Sequence, residues 1–146
     1  MQHALLLAKK AYKQDEVPVG AVIVKDSGII SSQHNQVRSH MDPTGHAEIL
    51  CIKEAAQKLA TTHLNECDIY TTLEPCAMCA QALAWAKIKR IYFAAYDKKF
   101  GAMGSRLDIF NEHSVNYKPE IYGGIMEEES AKLLKNFFSK KRGNKV

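Results

Sequence analysis

The sequence lacks the features that mark membrane, secreted and fibrous proteins. No apolar run among its 146 residues approaches the roughly 18 residues of a transmembrane helix. The first ten residues hold only five consecutive apolar residues before Lys9 and Lys10, too few for a signal peptide, so we expect a cytoplasmic protein. Hydrophobic residues make up 46% and charged residues 25%, which excludes disordered, collagen-like and coiled-coil classes for most of the chain. We expect a single domain spanning residues 1–146.

Cysteine is also scarce, with four residues at Cys51, Cys67, Cys76 and Cys79. Without an export signal, four cysteines do not indicate a disulfide scaffold but reduced thiols, which serve as core residues, metal ligands or nucleophiles. Only the spacing of Cys76 and Cys79 is informative by itself.

The excess of positive charge comes from the last segment of the chain, because residues 1–130 hold 14 basic and 16 acidic residues. The net charge is +4, yet residues 131–146 hold six basic residues and no acidic ones: Lys132, Lys135, Lys140, Lys141, Arg142 and Lys145. This segment points to an anionic partner such as RNA, and we expect Lys140, Lys141 and Arg142 to contact phosphates. The alternative is that these cations only complement a helix dipole whose other end carries Glu127, Glu128 and Glu129.

Hydrophobic periodicity predicts alternating helices and strands. The predicted helices cover 4–12, about 45–60, 76–86, 106–111 and 127–142, and the predicted strands cover 18–24, 29–35, 68–73, 90–95 and 120–125. The first two strands are expected to form a hairpin. This order predicts an α/β fold in which helices cover both faces of a sheet.

Two short motifs, each at the start of a predicted helix, carry the candidate chemistry. They are His46-Ala47-Glu48 and Pro75-Cys76-Ala77-Met78-Cys79. Cys76 and Cys79 share one helix face at a helix N-terminus, where the dipole favours thiolates, and His46 can supply a third ligand. One imidazole and two thiolates suit a tetrahedral zinc ion, and a fourth position left open is what a catalytic zinc needs.

Glu48, two residues after His46, is placed beside the metal without being forced to bind it. There its carboxylate can take a proton and pass it on. The combined His-x-Glu and Pro-Cys-x-x-Cys pattern is the one already established for zinc-dependent nucleobase deaminases. The plainer alternatives are a redox Cys-x-x-Cys pair, half of a structural zinc site, or a site closed by Cys51 or Cys67 as fourth ligand. Glu48 could equally be a first-turn acid, and His46 a plain helix-start residue.

The sequence resembles the tRNA-specific adenosine deaminase family, within the cytidine deaminase-like superfamily, over nearly its whole length. The matching stretches are residues 16–22 (EVPVGAV), 42–48 (DPTGHAE), 72–79 (TLEPCAMC) and 101–105 (GAMGS), together with Phe137-Phe138 and the basic residues that follow. The zinc motif alone is shared with guanine, cytosine and deoxycytidylate deaminases. The loop from Asp97 to Ser105 and the basic terminal helix favour the tRNA branch.

The resemblance implies a three-layer α/β/α sandwich with a five-stranded mixed sheet, a homodimer, and hydrolytic conversion of adenosine to inosine at the wobble position of a tRNA anticodon. It implies that His46, Cys76 and Cys79 hold one zinc ion per chain and that Glu48 moves protons. It also implies that Asn35 holds the purine and that Asp97 lies near the bound anticodon nucleotides. The alternative for Asn35 is that it ends a strand and satisfies a turn, and for Asp97 that it caps its own loop.

The sequence departs from the family pattern away from these positions. The start is short, Gln81 replaces a common glycine, and Trp85 and Lys87 stand where His and Arg are usual. These departures concern interface detail rather than the chemistry.

Two other functions remain open on the sequence. One is a deaminase of guanine or another free nucleobase or nucleotide, and the other is a non-enzymatic structural zinc module that binds RNA through its basic end.

Overall fold

The strands of the chain pair into a five-stranded mixed sheet. The computed structural model describes residues 1–112, 115 and 117–144, so Lys145 of the basic segment lies outside the described residues. The helices are α1 (Gln2–Lys13), α2 (Ala47–Leu59), α3 (Ala77–Trp85) and α4 (Glu127–Gly143). The strands are β1 (Gly20–Lys25), β2 (Gly28–His34), β3 (Asp68–Leu73), β4 (Arg90–Ala95) and β5 (Glu120–Tyr122).

The strand order in the sheet is β2-β1-β3-β4-β5. The β1–β2 and β1–β3 pairs are antiparallel, whereas β3–β4 and β4–β5 are parallel. A tight turn closes the β1–β2 hairpin because Asp26 and Ser27 both adopt positive φ angles (50° and 65°), which matches the twist of the flanking strands. The hairpin and the five-stranded mixed sheet are therefore confirmed.

Helices cover both faces of the sheet. Gly20 contacts α1 so closely that an added Cβ would lie 2.1 Å from the Ala4 carbonyl oxygen. Its neighbour Ala21 belongs instead to the core cluster that contains Ala47 and Cys51 of α2. Because successive strand residues face opposite sides of a sheet, α1 and α2 lie on opposite faces. In the part of the chain that the structure describes, no helix has the length and apolar character of a membrane span.

The predicted helix over 106–111 is wrong. Its backbone amides bond to a preceding loop instead of to residues four positions back: Arg106 and Leu107 donate to the Gly101 carbonyl, and Ile109 donates to that of Ala102. These bonds fold the segment as turns around Gly101 and Ala102.

The predicted fifth strand is shorter than expected, because two glycines leave the sheet. A Cβ on Gly123 would lie 2.4 Å from the Phe93 ring, and Gly124 has a φ of +85°. The strand therefore ends at Tyr122.

Candidate active site

The candidate metal ligands meet where two helices begin. His46 is the N-cap of α2, Cys76 is the N-cap of α3, and Cys79 lies in the first turn of α3. The His46 Nδ1 atom lies 3.7 Å from Cys76 Sγ and 3.5 Å from Cys79 Sγ, and all three ligand atoms lie within 4.8 Å of one another. Tetrahedral zinc with bonds of about 2.0–2.3 Å separates N and S ligands by about 3.6 Å, so these residues fit the ion.

Neither Cys51 nor Cys67 belongs to this cluster. Among the residues that the structure describes, the cluster holds only His46, Cys76 and Cys79. The Cys51 thiol is buried in the core and donates a hydrogen bond to the Ala21 carbonyl oxygen at 3.0 Å, and burial raises its pKa to about 12. Cys51 is therefore a core thiol, and the alternative of a site closed by a fourth cysteine is wrong.

The three candidate ligands shift one another's pKa values. A hydrogen bond from Cys79, together with one from His46, lowers the pKa of Cys76 to about 4. The same Cys79–Cys76 bond, with burial, raises the pKa of Cys79, and the bond to Cys76 raises that of His46. The shift favours the thiolate form of Cys76, and zinc binding requires that both thiols be deprotonated.

Glu48 lies beside the cluster. Its Oε2 atom is 3.5 Å from Cys79 Sγ, and its Oε1 atom accepts a hydrogen bond from the Thr71 hydroxyl at 2.7 Å. Burial raises the pKa of Glu48, while the Thr71 bond acts in the opposite direction. A raised pKa suits a group that must both take and give a proton near neutral pH.

Asn35 connects the end of β2 to the start of α2. Its Oδ1 atom accepts a hydrogen bond from the Ala47 amide at 2.8 Å, which satisfies one of the free N–H groups at the beginning of α2. The residue is buried, and its amide nitrogen is the donor that this hydrogen bond leaves available. Asn35 therefore holds the residue that directly follows the ligand His46.

Asp97 caps its own loop, as the simpler interpretation predicted. Its Oδ1 atom accepts hydrogen bonds from the amides of Lys99 (3.0 Å) and Phe100 (3.1 Å). A groove runs along this loop beside the three candidate metal ligands. Its lining residues are Cys76, Ala77, Met78, Lys99, Phe100, Arg106 and Leu107. The loop thus borders the site whether or not Asp97 itself contacts a ligand.

Glu74 is a residue of this region that the sequence reasoning missed. Its buried carboxylate accepts hydrogen bonds from the amides of Asp97 (3.2 Å), Met103 (3.0 Å) and Ser105 (3.2 Å), and from the Ser105 hydroxyl. The available signal in the sequence was an acidic residue directly before Pro75-Cys76, in a chain whose 101–105 loop contains two glycines.

Two of the three terminal cations contact the N-terminal part of the chain. Lys141 forms an ion pair with Asp15 (Nζ–Oδ1 2.5 Å), which also pairs with Arg38. The Lys140 ammonium lies 5.9 Å from the centre of the Tyr12 ring, and Arg142 donates to Ser139 Oγ. Lys140 and Lys141 thus contact α1 and the turn that follows it, whereas the Arg142 contact lies within α4.

Comparison with known proteins gives consistent matches. Residues 1–95 match the cytidine and deoxycytidylate deaminase zinc-binding region. A tRNA-specific adenosine deaminase from Aquifex aeolicus (strain VF5) is 48% identical over 141 residues, which cover 97% of this chain and 93% of that protein.

Solved structures agree with these matches. A structure of a tRNA:A34 deaminase, which performs A-to-I editing at the wobble position of transfer RNA, superimposes with a TM-score of 0.90 at 42% identity; the match covers 92% of this chain and 97% of that one. The guanine deaminase from Bacillus subtilis gives a TM-score of 0.64 at 31% identity, covering 99% of this chain and 94% of that one.

Proposed function

The chain belongs to the tRNA-specific adenosine deaminase family, and we propose that it converts adenosine to inosine at the wobble position of a tRNA anticodon. It is a zinc-dependent hydrolase acting on the C–N bond of a cyclic amidine. The observation that carries this function is the cluster of three ligands, His46, Cys76 and Cys79, with a buried carboxylate beside it. A structural zinc site would be completed by a fourth protein ligand, and none joins the cluster among the described residues.

The reaction adds water to the purine and releases ammonia. A zinc ion held by the three ligands makes water acidic enough to attack near neutral pH. Glu48 takes a proton from the attacking water and delivers it to the adenine ring nitrogen N1. The remaining hydroxyl oxygen bonds to C6, and Glu48 then moves the proton of that hydroxyl to the amino group. The C6–N bond breaks, ammonia leaves, and the new C6 carbonyl completes inosine.

Other residues of the chain hold the substrate in this proposal. The amide nitrogen of Asn35 donates to the purine, since its oxygen is occupied by the Ala47 amide. The loop that Asp97 caps borders the groove beside Cys76 and contacts the nucleotides of the anticodon stem-loop. Lys140, Lys141 and Arg142 bind phosphates farther along the RNA.

The proposed working unit is a homodimer of single-domain chains in the cytoplasm. Helix α3 leaves Met78 and Trp85 exposed, two helical turns apart and therefore on the same side. Exposed large apolar side chains in such an arrangement are typical of a protein interface. The four cysteines are all free, which suits a reducing compartment.

Deamination of guanine is the second candidate, because a guanine deaminase shares the fold at 31% identity. The tRNA reaction is favoured by the higher identity of 48% to a tRNA-specific enzyme and by the concentration of positive charge at the end of the chain.

Incubation of the purified protein with a tRNA that carries adenosine at the wobble position tests the proposal. Sequencing should detect inosine at that position, while guanine and free adenosine should remain largely unchanged. Glu48→Gln is the matched control: it should keep zinc and fold but slow turnover by at least roughly 10²-fold, the usual size of acid–base catalysis. Rapid release of ammonia from guanine, without inosine in the tRNA, would favour the second candidate.

A further inference from the structure

A buried threonine contacts the carboxylate that we propose as the proton carrier. Thr71 lies on β3 and is fully buried, and its hydroxyl is 2.7 Å from Glu48 Oε1. No feature of the sequence motifs points to this residue, since it precedes the Glu74-Pro75-Cys76 segment.

The alternation of β3 brings Thr71 to the site. Ile69 on the same strand belongs to the core cluster that contains Ala47 and Cys51 of α2. Thr71 follows two residues later and faces the same side, opposite the first turn of α2. The next residue, Thr72, faces away: its hydroxyl accepts the Gly20 amide at 3.1 Å.

The distances show which acceptor receives the Thr71 hydroxyl proton. The single hydroxyl proton has two acceptors within reach, Glu48 Oε1 at 2.7 Å and the Leu73 carbonyl oxygen at 3.4 Å, and the shorter contact is the stronger bond. As an acceptor, Oε1 is occupied on the side that faces Thr71. The other oxygen, Oε2, lies on the side of Cys79 and the other two candidate metal ligands.

We propose that Thr71 is the positioning residue of this active site: its hydroxyl anchors Glu48 Oε1 and leaves Oε2 as the oxygen that carries the proton. The proposal rests on the proposed role of Glu48. The Oε2 atom, 3.5 Å from Cys79 Sγ, faces the side of the three ligands, where water and substrate would bind.

Replacement of Thr71 by valine keeps the shape and removes the donor. We expect Thr71→Val to lower kcat by roughly 10- to 100-fold, the range that one hydrogen bond to a charged group contributes, with KM for tRNA and zinc content unchanged. Thr71→Ser, which keeps the hydroxyl, should restore kcat to within about 3-fold of the original value. A residue that only supported the fold would lower stability without this split between kcat and KM.

Thr72→Val is the matched control, because it also removes a buried hydroxyl from β3 but leaves Glu48 untouched. It should lower the melting temperature and leave kcat nearly unchanged. If Thr71→Val fails to fold, Thr71→Ser and Thr71→Ala form a second pair that differs only in the hydroxyl, and single-turnover rates should separate them.

The outcomes distinguish this inference from the proposed function. A Thr71→Val enzyme with the original kcat, beside an inactive Glu48→Gln enzyme, overturns the role of Thr71 alone. A Glu48→Gln enzyme that still edits tRNA overturns the acid–base role of Glu48, and the inference falls with it.

Discussion

The two oxygens of Glu48 lie in different surroundings, and this asymmetry suits a group that carries protons. One oxygen contacts a hydroxyl donor and the other contacts the thiol of Cys79. Burial raises the pKa of the carboxyl group, so it is less acidic than an exposed glutamate. Below that raised pKa Glu48 is protonated and cannot accept the proton of the attacking water.

The ligand assignment predicts which thiols the metal needs. Cys76→Ser and Cys79→Ser should each lose zinc and activity, because either change leaves two of three strong ligands, whereas the original protein carries about one zinc per chain. Cys51→Ala is the matched control and should keep its zinc, since that thiol bonds to the Ala21 carbonyl oxygen. Elemental analysis of the purified variants decides; full zinc in both serine variants would contradict the assignment.

The sequence alone was sufficient to predict the site residues that are defined by their spacing along one helix. Cys76 and Cys79 share a helix start, and His46 with Glu48 begins another, so the pattern alone predicted the cluster. Thr71 and Glu74 could not be predicted in the same way, because their partners lie 23 or more residues away and depend on how β3 packs against α2 and the 97–105 loop.

At the scale of elements, hydrogen bonds to the Glu74 carboxylate hold the 97–105 loop against the start of α3. Gly101 approaches so closely that an added Cβ would lie 2.4 Å from Glu74 Oε2, and Gly101 also pairs with Cys76. The same loop lines the groove beside the three candidate metal ligands. The shape of the groove therefore depends on one buried carboxylate.

Glu74→Ala is expected to loosen this loop. Three backbone amides would lose their shared acceptor, so the melting temperature should fall and KM for tRNA should rise by roughly 10-fold or more, the effect of removing about one strong hydrogen bond at the binding surface. Ser105→Ala is the control, because it removes the hydroxyl contact and leaves the amide bonds. An unchanged KM in Glu74→Ala would show that the loop takes no part in binding RNA.

The end of α4 is the second element with a testable role. Lys141 pairs with Asp15, and this hydrogen-bonded pair lowers the pKa of the Asp15 carboxyl group, so the cation already has a partner in the free protein. An exposed ion pair of this kind is weak, and RNA phosphates can replace Asp15.

Joint replacement of Lys140, Lys141 and Arg142 by alanine should weaken tRNA binding. Each phosphate that the protein no longer neutralises reduces the salt slope of log affinity by about 0.7–0.9, so the slope should fall by roughly two units while zinc content stays the same. Lys132→Ala with Lys135→Ala is the control from the first half of α4. Equal affinities with parallel salt dependence for the triple variant would mean that these charges only complete the helix.

Prediction of elements succeeded where local composition and chain breaks define a strand. The bounds of β3 and β4 agree with the sequence analysis. The strand β3 holds three β-branched residues and ends directly before Glu74-Pro75. The helix predicted over 106–111 was wrong because periodicity reports only on local sequence. The carbonyl oxygens of Gly101 and Ala102 accept hydrogen bonds from the backbone amides that would otherwise form the helix.

At the scale of the whole molecule, hydrophobic periodicity could not predict the order of the strands in the sheet. Alternating elements indicated a sheet with helices on both faces, but the placement of β1 between β2 and β3 depends on the antiparallel β1–β3 pairing, which joins segments more than 40 residues apart. Only the family resemblance implied a five-stranded mixed sheet, and the observed order confirms it.

Two copies of the chain are expected to assemble through α3. Trp85 is 73% exposed and Met78 is 36% exposed on the same side of this helix, which also begins with the ligand Cys76. Burial of such side chains against a second copy would stabilise a C2 dimer, the commonest closed symmetry, and would bring the partner close to the groove beside the metal.

Sedimentation at micromolar concentration should therefore give about twice the 16.4 kDa mass of one chain. Trp85→Glu should shift the protein to the monomer, because a buried unpaired carboxylate opposes association, and editing of tRNA should fall with it. Leu6→Glu is the matched control: Leu6 is also exposed, at 63%, but lies on α1. Helix α3 packs with α2 in the core cluster, on the opposite face of the sheet from α1. If Leu6→Glu dissociates the dimer and Trp85→Glu does not, the contact is made by α1. An original protein that sediments as a monomer and still edits tRNA would show that one chain contains the complete site.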